Sequence, residues 1–363
     1  MNEFGIDLSE LNIKMDQYIP AAHPGRIASI DADGLCYLAA AVTEDQSFAA
    51  CKEAFDNQVR SRTAMCAAVG ARLHLTGNDK GGRYATALVK EYQASRKGKA
   101  KPKHLDTLRS WVQSRYVHGD YLCIMNENQE ADDGMAQDNY AAYASYTSGV
   151  PELSIIHSLD KDLTMCSGYH CDWNTYEIVH VEGYGSCYLD ESGSTKKVKG
   201  YGTSFFWHQL LMGDTADCIP GLPTVKGPQT LKLASAAVLK AKECLATYCD
   251  SKGKPLTADK VDKQLRIVEE FQHKGKPCGA VAAYRLLEDC KTDMEALHRV
   301  VGLYRECYGR GAFDFTDWRS NQHRLTAGDM VVEQARLLWM RRTVDECPTT
   351  FMAQVLAGEK WYE

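Results

Sequence analysis

The stretch SIDADGLCY (29–37) ends a short apolar run, RIASI (26–30), and sets two aspartates, Asp31 and Asp33, where a strand should give way to a helix. Three readings fit acid at that point. One is a nucleophile with its acid/base partner. Another is a metal ligand at the mouth of an α/β sheet. The third is a turn whose Asp caps the next helix by accepting from its orphan N–H groups. These nine residues leave all three open, and the choice rests on what other strands bring to the same edge.

Those strands are legible by pattern. ARLHLT (71–76), DYLCIM (120–125), LSIIHS (153–158) and TYEIVHV (175–181) each read as a strand. Between them, 43–70 carries Phe48, Cys51, Phe55 and Val59 at helical spacing, and 131–148 reads as a helix stopped by Gly149 and Pro151. Strands alternating with helices predict an α/β fold built on a mostly parallel sheet flanked by helices. From about 203 the pattern changes to helices with Gly/Pro punctuation, so a boundary is expected near 205–212.

A chain of 363 residues can bury a sizeable core and form two domains, or one large domain with appendages. Its 44% hydrophobic and 25% charged residues are those of an ordinary globular protein. No apolar run is long enough to span a membrane. The N-terminal MNEFGIDLSELNIKMD lacks the apolar core of a secretion signal, so the expected location is cytoplasmic. The fourteen cysteines then read as reduced thiols. Cys166, His170 and Cys171 form a fragment of a zinc site, without a second ligand pair at suitable spacing.

The acids carry the argument. Asp31 follows the first strand and Asp79 the second; Glu130, Asp132 and Asp133 follow the third, and Asp160 and Asp162 the fourth. In an open parallel sheet, functional groups gather beyond the carboxyl ends of the strands. Asp214 and Asp217 arrive with MGDTADCIPG (212–221) at the start of the helical region. A lone Asp at such a place is most often a cap or a solvated loop acid. Nine carboxylates brought together repel one another unless divalent cations neutralise them. Hard oxygen ligands suit Mg²⁺ or Mn²⁺, and this many suit two ions, which can clamp both oxygens of a phosphodiester in displacement. Setting the nine acids aside turns the net charge of −6 into +3. The run KEYQASRKGKAKPK (90–103), basic and close to the acids in sequence, is then a candidate grip on phosphate rather than only a solvated loop.

The ordered set DAD, a lone Asp before a basic stretch, EADD, SLDKDL and GDTADCIPG resembles the 5′-nuclease or flap-endonuclease superfamily, and most of all the bacteriophage 5′→3′ exonucleases. The resemblance covers about 26–232, and VEQARLLWMRR (332–342) shares its flavour. It implies an N-terminal arm (1–22), a PIN-like nuclease domain (23–210) with a helical arch at about 80–118, a helix–three-turn–helix and C-terminal helical region (211–345), and a tail (346–363). By the same resemblance Asp31, Asp79, Glu130 and Asp132 surround one metal ion. Asp160, Asp162, Asp214 and Asp217 serve a second, with Asp132 between the two and Asp133 close by. Asp33 falls behind the ligands or caps the helix.

Two departures stand out. The arch lysine of the family is Gln93 here, within YQASR, which shifts phosphate holding to Arg83, Arg96 and Lys97, with Lys90 and Lys99 nearby as DNA contacts. The hairpin that reads Gly-Ile-Gly in the family reads Thr224-Val225-Lys226-Gly227, so duplex contact there falls to Gly221, Thr224, Lys226 and Gly227. A monovalent cation at that hairpin belongs to the same expectation. The implied activity is two-metal, Mg²⁺-dependent 5′→3′ exonuclease or flap cleavage of DNA with 5′ ends, in replication, primer removal or DNA degradation. A DNA polymerase or single-strand-binding protein is the partner of the kind implied, inside an infected bacterial host. The rival readings are a PIN-type ribonuclease or RNase H-like primer removal, a phosphatase with a late Gly-Asp motif, and a DNA-junction binder without catalysis. The phosphatase gives EADD no role, and the binder predicts lost acids.

Overall fold

A computed structural model describes residues 19–149, 151–192 and 196–357. Most of the expected arm, residues 1–18, lies outside the described residues.

The first apolar run forms β1 (Ile27–Asp31), with Ala28 and Ile30 fully buried. It is followed by α1 (Ala32–Val42) and α2 (Phe48–Met65), whose Cys51, Phe55 and Val59 face inward as their spacing predicts. β2 (Gly70–Thr76) and β3 (Tyr121–Asn126) come next, with short α3 (Arg83–Thr86) and α4 (Leu105–Arg115) between them. Helix α5 (Ala131–Thr147) leads to β4 (Ser154–His157), then β5 (Gly168–Cys171) and β6 (Ile178–Val181).

The six strands form one sheet in the order β3-β2-β1-β4-β5-β6. β1 to β5 run parallel, and β6 returns antiparallel to β5. The α/β architecture with a mostly parallel sheet is therefore as expected. One face packs Leu35, Phe55, Leu108 and Val112 of α1, α2 and α4 against Ile30 and Ile155. Ile156 points the other way, into a core shared with Met135 and Ala136 of α5 and with the C-terminal helices. This two-sided burial is what parallel strands require.

Two elements escaped the sequence pattern. β5 lies in the fragment read as zinc-like, and a separate ribbon, β7 (Ser186–Asp190) with β8 (Lys197–Tyr201), follows β6. Both strands of the ribbon are short and polar, so period-two alternation was faint.

The boundary expected near 205–212 falls inside α6 (Thr203–Met212), whose residues 203–211 are all buried. A helix apolar on every side belongs to the interior, and α6 joins the two regions rather than separating them. β9 (Thr224–Val225) and a 3₁₀ turn (Gly227–Leu233) precede α7 (Ala236–Thr247) and α8 (Ala258–Lys274). β9 pairs with β10 (Lys276–Pro277). Then follow α9 (Ala280–Leu287), α10 (Asp293–Tyr308), the hairpin β11 (Phe313–Thr316)–β12 (Gln322–Leu325), and α11 (Ala327–Leu338).

The stretch set apart as a tail contains α12 (Pro348–Ala357). Its Phe351 is fully buried and stacks on Trp339 with ring centroids 4.5 Å apart. An aromatic pair buried against the core makes this helix part of the fold.

The segment expected as an arch, 80–118, carries helix α4 in its second half and little regular structure in its first. Residues 80–96 hold only short helical turns and lie against the body. Glu333 accepts from Leu88 N–H at 2.8 Å, Arg319 donates to Ala87 O at 3.0 Å, and Arg341 donates to Gly81 O at 2.5 Å. Three C-terminal side chains thus fasten the chain between β2 and β3.

Candidate metal centre

Asp31 ends β1 and caps α1, accepting from Gly34 N–H at 3.0 Å. The cap reading of the opening stretch thus describes its local role. Burial raises its carboxyl pKa above the ordinary range, against the pull of His74 and Arg109. Asp33 points elsewhere. It accepts from Thr76 N–H at 2.9 Å and pairs with Arg109, tying α1 to the end of β2.

At the start of α5 the sequence EADD divides its labour. Gly134 lets the helix approach the strands, because a Cβ there would stand 1.9 Å from Asn126 Oδ1 and 2.7 Å from His74 Nδ1. Glu130 and Asp133 form a reciprocal capping box. Asp133 is fully buried and accepts both Arg83 Nη1, at 2.7 Å, and Arg83 Nη2, at 2.9 Å. Against the cost of burial, that guanidinium holds Asp133 below the usual carboxylate range. Arg83, 2% exposed, spends its remaining donors on Leu337 O and Trp339 O. The structure places this expected phosphate holder and this expected ligand in the interior, facing one another. Arg83 Nη1 also lies 3.3 Å from Glu130 Oε2, so the buried guanidinium pairs bidentately with Asp133 and reaches one acid of the centre from behind.

Asp132 has no hydrogen-bond donor among the described residues. Burial, and then Asp160, Asp31 and Glu130 around it, push its carboxyl well above the ordinary range. Asp160 caps the turn after β4, accepting from Asp162 N–H at 2.8 Å, and burial raises it to about 6. Burial and Asp160 raise Asp162 to about 7. Lys161 donates to Asp162 at 2.8 Å and also to Asp214, which it holds below the ordinary range despite burial. Asp217 accepts from Arg96 at 2.7 Å and from Tyr92 OH at 3.3 Å, yet burial keeps it raised.

Seven of the nine expected acids therefore share one electrostatic neighbourhood at the carboxyl edge of the sheet: Asp31, Glu130, Asp132, Asp160, Asp162, Asp214 and Asp217. The other two are Asp133, whose charge also raises Asp132 but whose carboxylate is taken up by buried Arg83, and Asp79, exposed and accepting from Gly82 N–H at 3.3 Å. Hard oxygen donors with unbalanced negative charge fit divalent Mg²⁺ or Mn²⁺. Asp31, Asp132 and Asp160 would hold one ion, and Asp162 and Asp214, now bridged by Lys161, would face another. The carboxylates are gathered without being closed to coordination spacing. The only trio of ligand atoms all within 4.8 Å of one another, among the described residues, is Cys66, His157 and Cys171. That trio replaces the zinc fragment read from sequence, where His170 instead bonds Cys166 O at 2.8 Å. His157 is already engaged, with Arg62 on Nε2 at 2.8 Å and Cys171 O on Nδ1 at 3.0 Å.

Basic and polar residues missed in the sequence also line the centre. Lys80 lies 3.2 Å from Glu130 and bonds Gln93 Oε1 at 2.5 Å. Gln93, the residue in place of the family lysine, is thus held in the site by a neighbouring lysine, thirteen positions earlier. Tyr92 donates to Glu130 at 3.0 Å. Of the remaining candidates, Arg96 touches the acids, whereas Lys97 pairs outward with Glu91 at 2.6 Å. Lys90 and Lys99 are exposed.

At the expected hairpin, Gly221 is buried, and its N–H is spent on Gln334 at 2.9 Å. A Cβ there would stand 2.3 Å from Gly213 N, so this glycine serves close packing rather than an outside contact. Thr224 lies in β9, and Lys226 precedes the 3₁₀ turn. Gly227, with φ of +70°, lies against Glu306, whose carboxylate oxygen would stand 2.7 Å from a Cβ built on the glycine.

No family model matches the sequence, and no curated protein matches it. Solved structures do. A T5 D15 protein co-crystallised with metal ions is similar over 86% of this chain and all of its own, at 11% identity and a TM-score of 0.38. A bacteriophage T5 D15 flap endonuclease variant, in a product complex with DNA and metal ions, covers 86% of this chain and 99% of its own, at 11% identity and 0.37. A T5 5′-exonuclease variant covers 76% and 92%, at 11% identity and 0.33.

Proposed function

We propose that this protein is a divalent-metal-dependent 5′→3′ nuclease that cleaves DNA at or near 5′ ends, with flap cleavage within its reach. One observation carries the metal part. Asp132, half-buried, faces Asp160, Asp31 and Glu130 and has no donor of its own among the described residues. Such a cluster is stable as anions only with cations among them. DNA and the direction of attack come from the ordered motif resemblance.

When bound, two ions would supply charge neutralisation and Lewis acidity for phosphodiester hydrolysis. The chain's own residues do the positioning. Asp31 and Asp160 are each held in their turns by one accepted backbone N–H, which limits how far they must move to meet an ion. Lys80 and Arg96 hold Glu130 and Asp217 and stand where an incoming phosphate would compete for them. Arg96 has the planar fork to take a phosphate bidentately. Arg83 and Asp133 brace α5 from behind and take no part in contact with substrate.

A cleavage assay on 5′-labelled blunt, nicked and flap DNA, with and without Mg²⁺, tests the reading. Wild-type protein should cleave only with the cation, and Asp132→Ala should remove detectable turnover while its thermal melt stays cooperative. Full turnover by Asp132→Ala would overturn the metal assignment. Cleavage of RNA or RNA–DNA hybrid in preference to DNA would overturn the substrate assignment.

A further inference from the structure

The ribbon β7–β8 is the part of the sheet region that neither the acids nor the hairpin explains. It stands across from β5 and β6 and encloses with them a cavity of about 440 Å³. That lies inside the ~300–1,000 Å³ range of small-ligand sites. The cavity opens beside the acids, since Asp160 and Lys161 form part of its wall.

Both faces of β8 reach the cavity, Val198 and Gly200 from one and Lys197, Lys199 and Tyr201 from the other, and the polar face carries the charged and aromatic side chains. Tyr188 pairs with Lys199 and Ser186 with Tyr201, so Tyr188, Lys199 and Tyr201 share one face with Lys197. All four line the cavity. The other face also packs on α6, with Cys187 Sγ 3.5 Å from Ser204 Oγ. Trp173 lines the cavity from the opposite wall. Tyr188 is 46% exposed, so its ring is open to a ligand in the cavity. Lys197 has no acid partner among the described residues, and Lys199 pairs with Asp190 at 2.7 Å. Two acids of the opposite wall, Asp172 and Glu177, also border the space, and Asp172 is occupied by the backbone N–H groups of Asn174 and Thr175.

Aromatic rings interleaved with lysines on one side of a groove are what single-stranded nucleic acid requires. Bases stack on the rings without regard to sequence, and lysines follow the phosphates. We propose that this cavity receives an unpaired nucleotide of the substrate strand next to the metal-binding acids, its base against Tyr188 and Tyr201 and its phosphate at Lys197. The proposal rests on the nuclease reading above and names the feature of substrate that reading left open: a single-stranded segment beside the cleaved bond.

The test uses the full chain with Ca²⁺ in place of Mg²⁺, and duplexes that are blunt or carry a 5′ overhang with 2-aminopurine at one unpaired position. In wild type, one overhang position should show quenched fluorescence on binding. Tyr188→Ala should raise the Kd for the overhang relative to the blunt duplex by about tenfold, the size of one lost base–aromatic stack. Tyr188→Phe should restore the ratio, which a loss of fold in the alanine variant would not explain. Lys197→Ala should lower the salt slope of overhang binding by about 0.7, one single-strand phosphate contact. If wild type binds and cleaves DNA while the ratio and the quenching are the same in Tyr188→Ala, the pocket assignment alone is overturned. If wild type neither binds nor cleaves DNA, the nuclease reading falls and takes this one with it.

Discussion

Arg83 and Lys161 each hold two acids beside the same sheet edge, and they do so in opposite ways. Arg83 is sealed with Asp133, the two side chains 2% and 0% exposed, and its guanidinium makes four hydrogen bonds. Lys161 bridges Asp162 and Asp214 from a side chain that is 53% exposed. A sealed pair cannot exchange its cation for a metal or a phosphate. An open one can, because water and ions reach the ammonium as it leaves. Charge pairing alone therefore does not say which acids can exchange a partner for an ion; access does.

The largest effect should come from breaking the sealed pair. Arg83→Met leaves Asp133 as a buried charge without its partner, which costs about 3–5 kcal/mol in comparable cases. Urea unfolding should show that loss, and Arg83→Met with Asp133→Leu should recover most of it. A loss under ~1 kcal/mol would mean Asp133 finds other donors, and the contrast with Lys161 would collapse.

A smaller effect concerns the open side and its pH dependence. In the metal-free protein Asp160 titrates at about 6 and Asp162 at about 7, both above the value of 3.8 for an unperturbed Asp. The folded state then holds protons that the unfolded state has lost between about pH 4 and pH 7. Metal-free stability should fall as pH rises through that window. Mg²⁺ supplies the positive charge that the protons supplied, so the Tm gain on adding it should be small at pH 5 and larger at pH 8. Equal gains at both values would show that the ions bind away from Asp160 and Asp162.

The same contrast explains what the sequence could and could not tell. Strands β1 to β4 were legible because each is a short apolar run followed by acid, and the parallel sheet brings those ends together. Five of the seven converging acids, Asp31, Glu130, Asp132, Asp160 and Asp162, gather for that reason, whereas Asp214 and Asp217 are brought by the loop after α6. Asp133 and Asp132 are neighbours with the same side chain, and no one-dimensional pattern says which faces a cavity and which faces Arg83. Helical phase at α5 and the position of Arg83, fifty residues earlier, decide it. Lys80 and Lys161 escaped notice because a lone Lys beside acids has the pattern of any solvated turn. Within the segment expected as an arch, 80–118, the first half lies against the body for a long-range reason. Glu333 and Arg341, 245 and 260 residues away from their partners Leu88 and Gly81, fasten the segment down. The ribbon β7–β8 was missed because polar strands on an exposed two-stranded sheet carry little hydrophobic period.

The smallest expected effect sharpens the comparison most, because it asks what Lys161 stands for. Its ammonium lies between Asp162 and Asp214, the acids that the motif resemblance gives to a second ion. If metal replaces it there, removing the side chain removes the positive charge that competes with the ion. Two carboxylates left without the ammonium attract a divalent cation more strongly, though solvent around a half-exposed lysine screens most of the difference. Lys161→Ala should therefore lower the Mg²⁺ concentration at half-maximal cleavage by a few fold, with little change at saturating Mg²⁺. Titrations of cleavage rate against Mg²⁺ at fixed ionic strength read this directly. A drop in the saturated rate with an unchanged Mg²⁺ midpoint would say the opposite: that Lys161 leaves the acids to hold phosphate, and that the open pair works through its lysine rather than by giving way to metal.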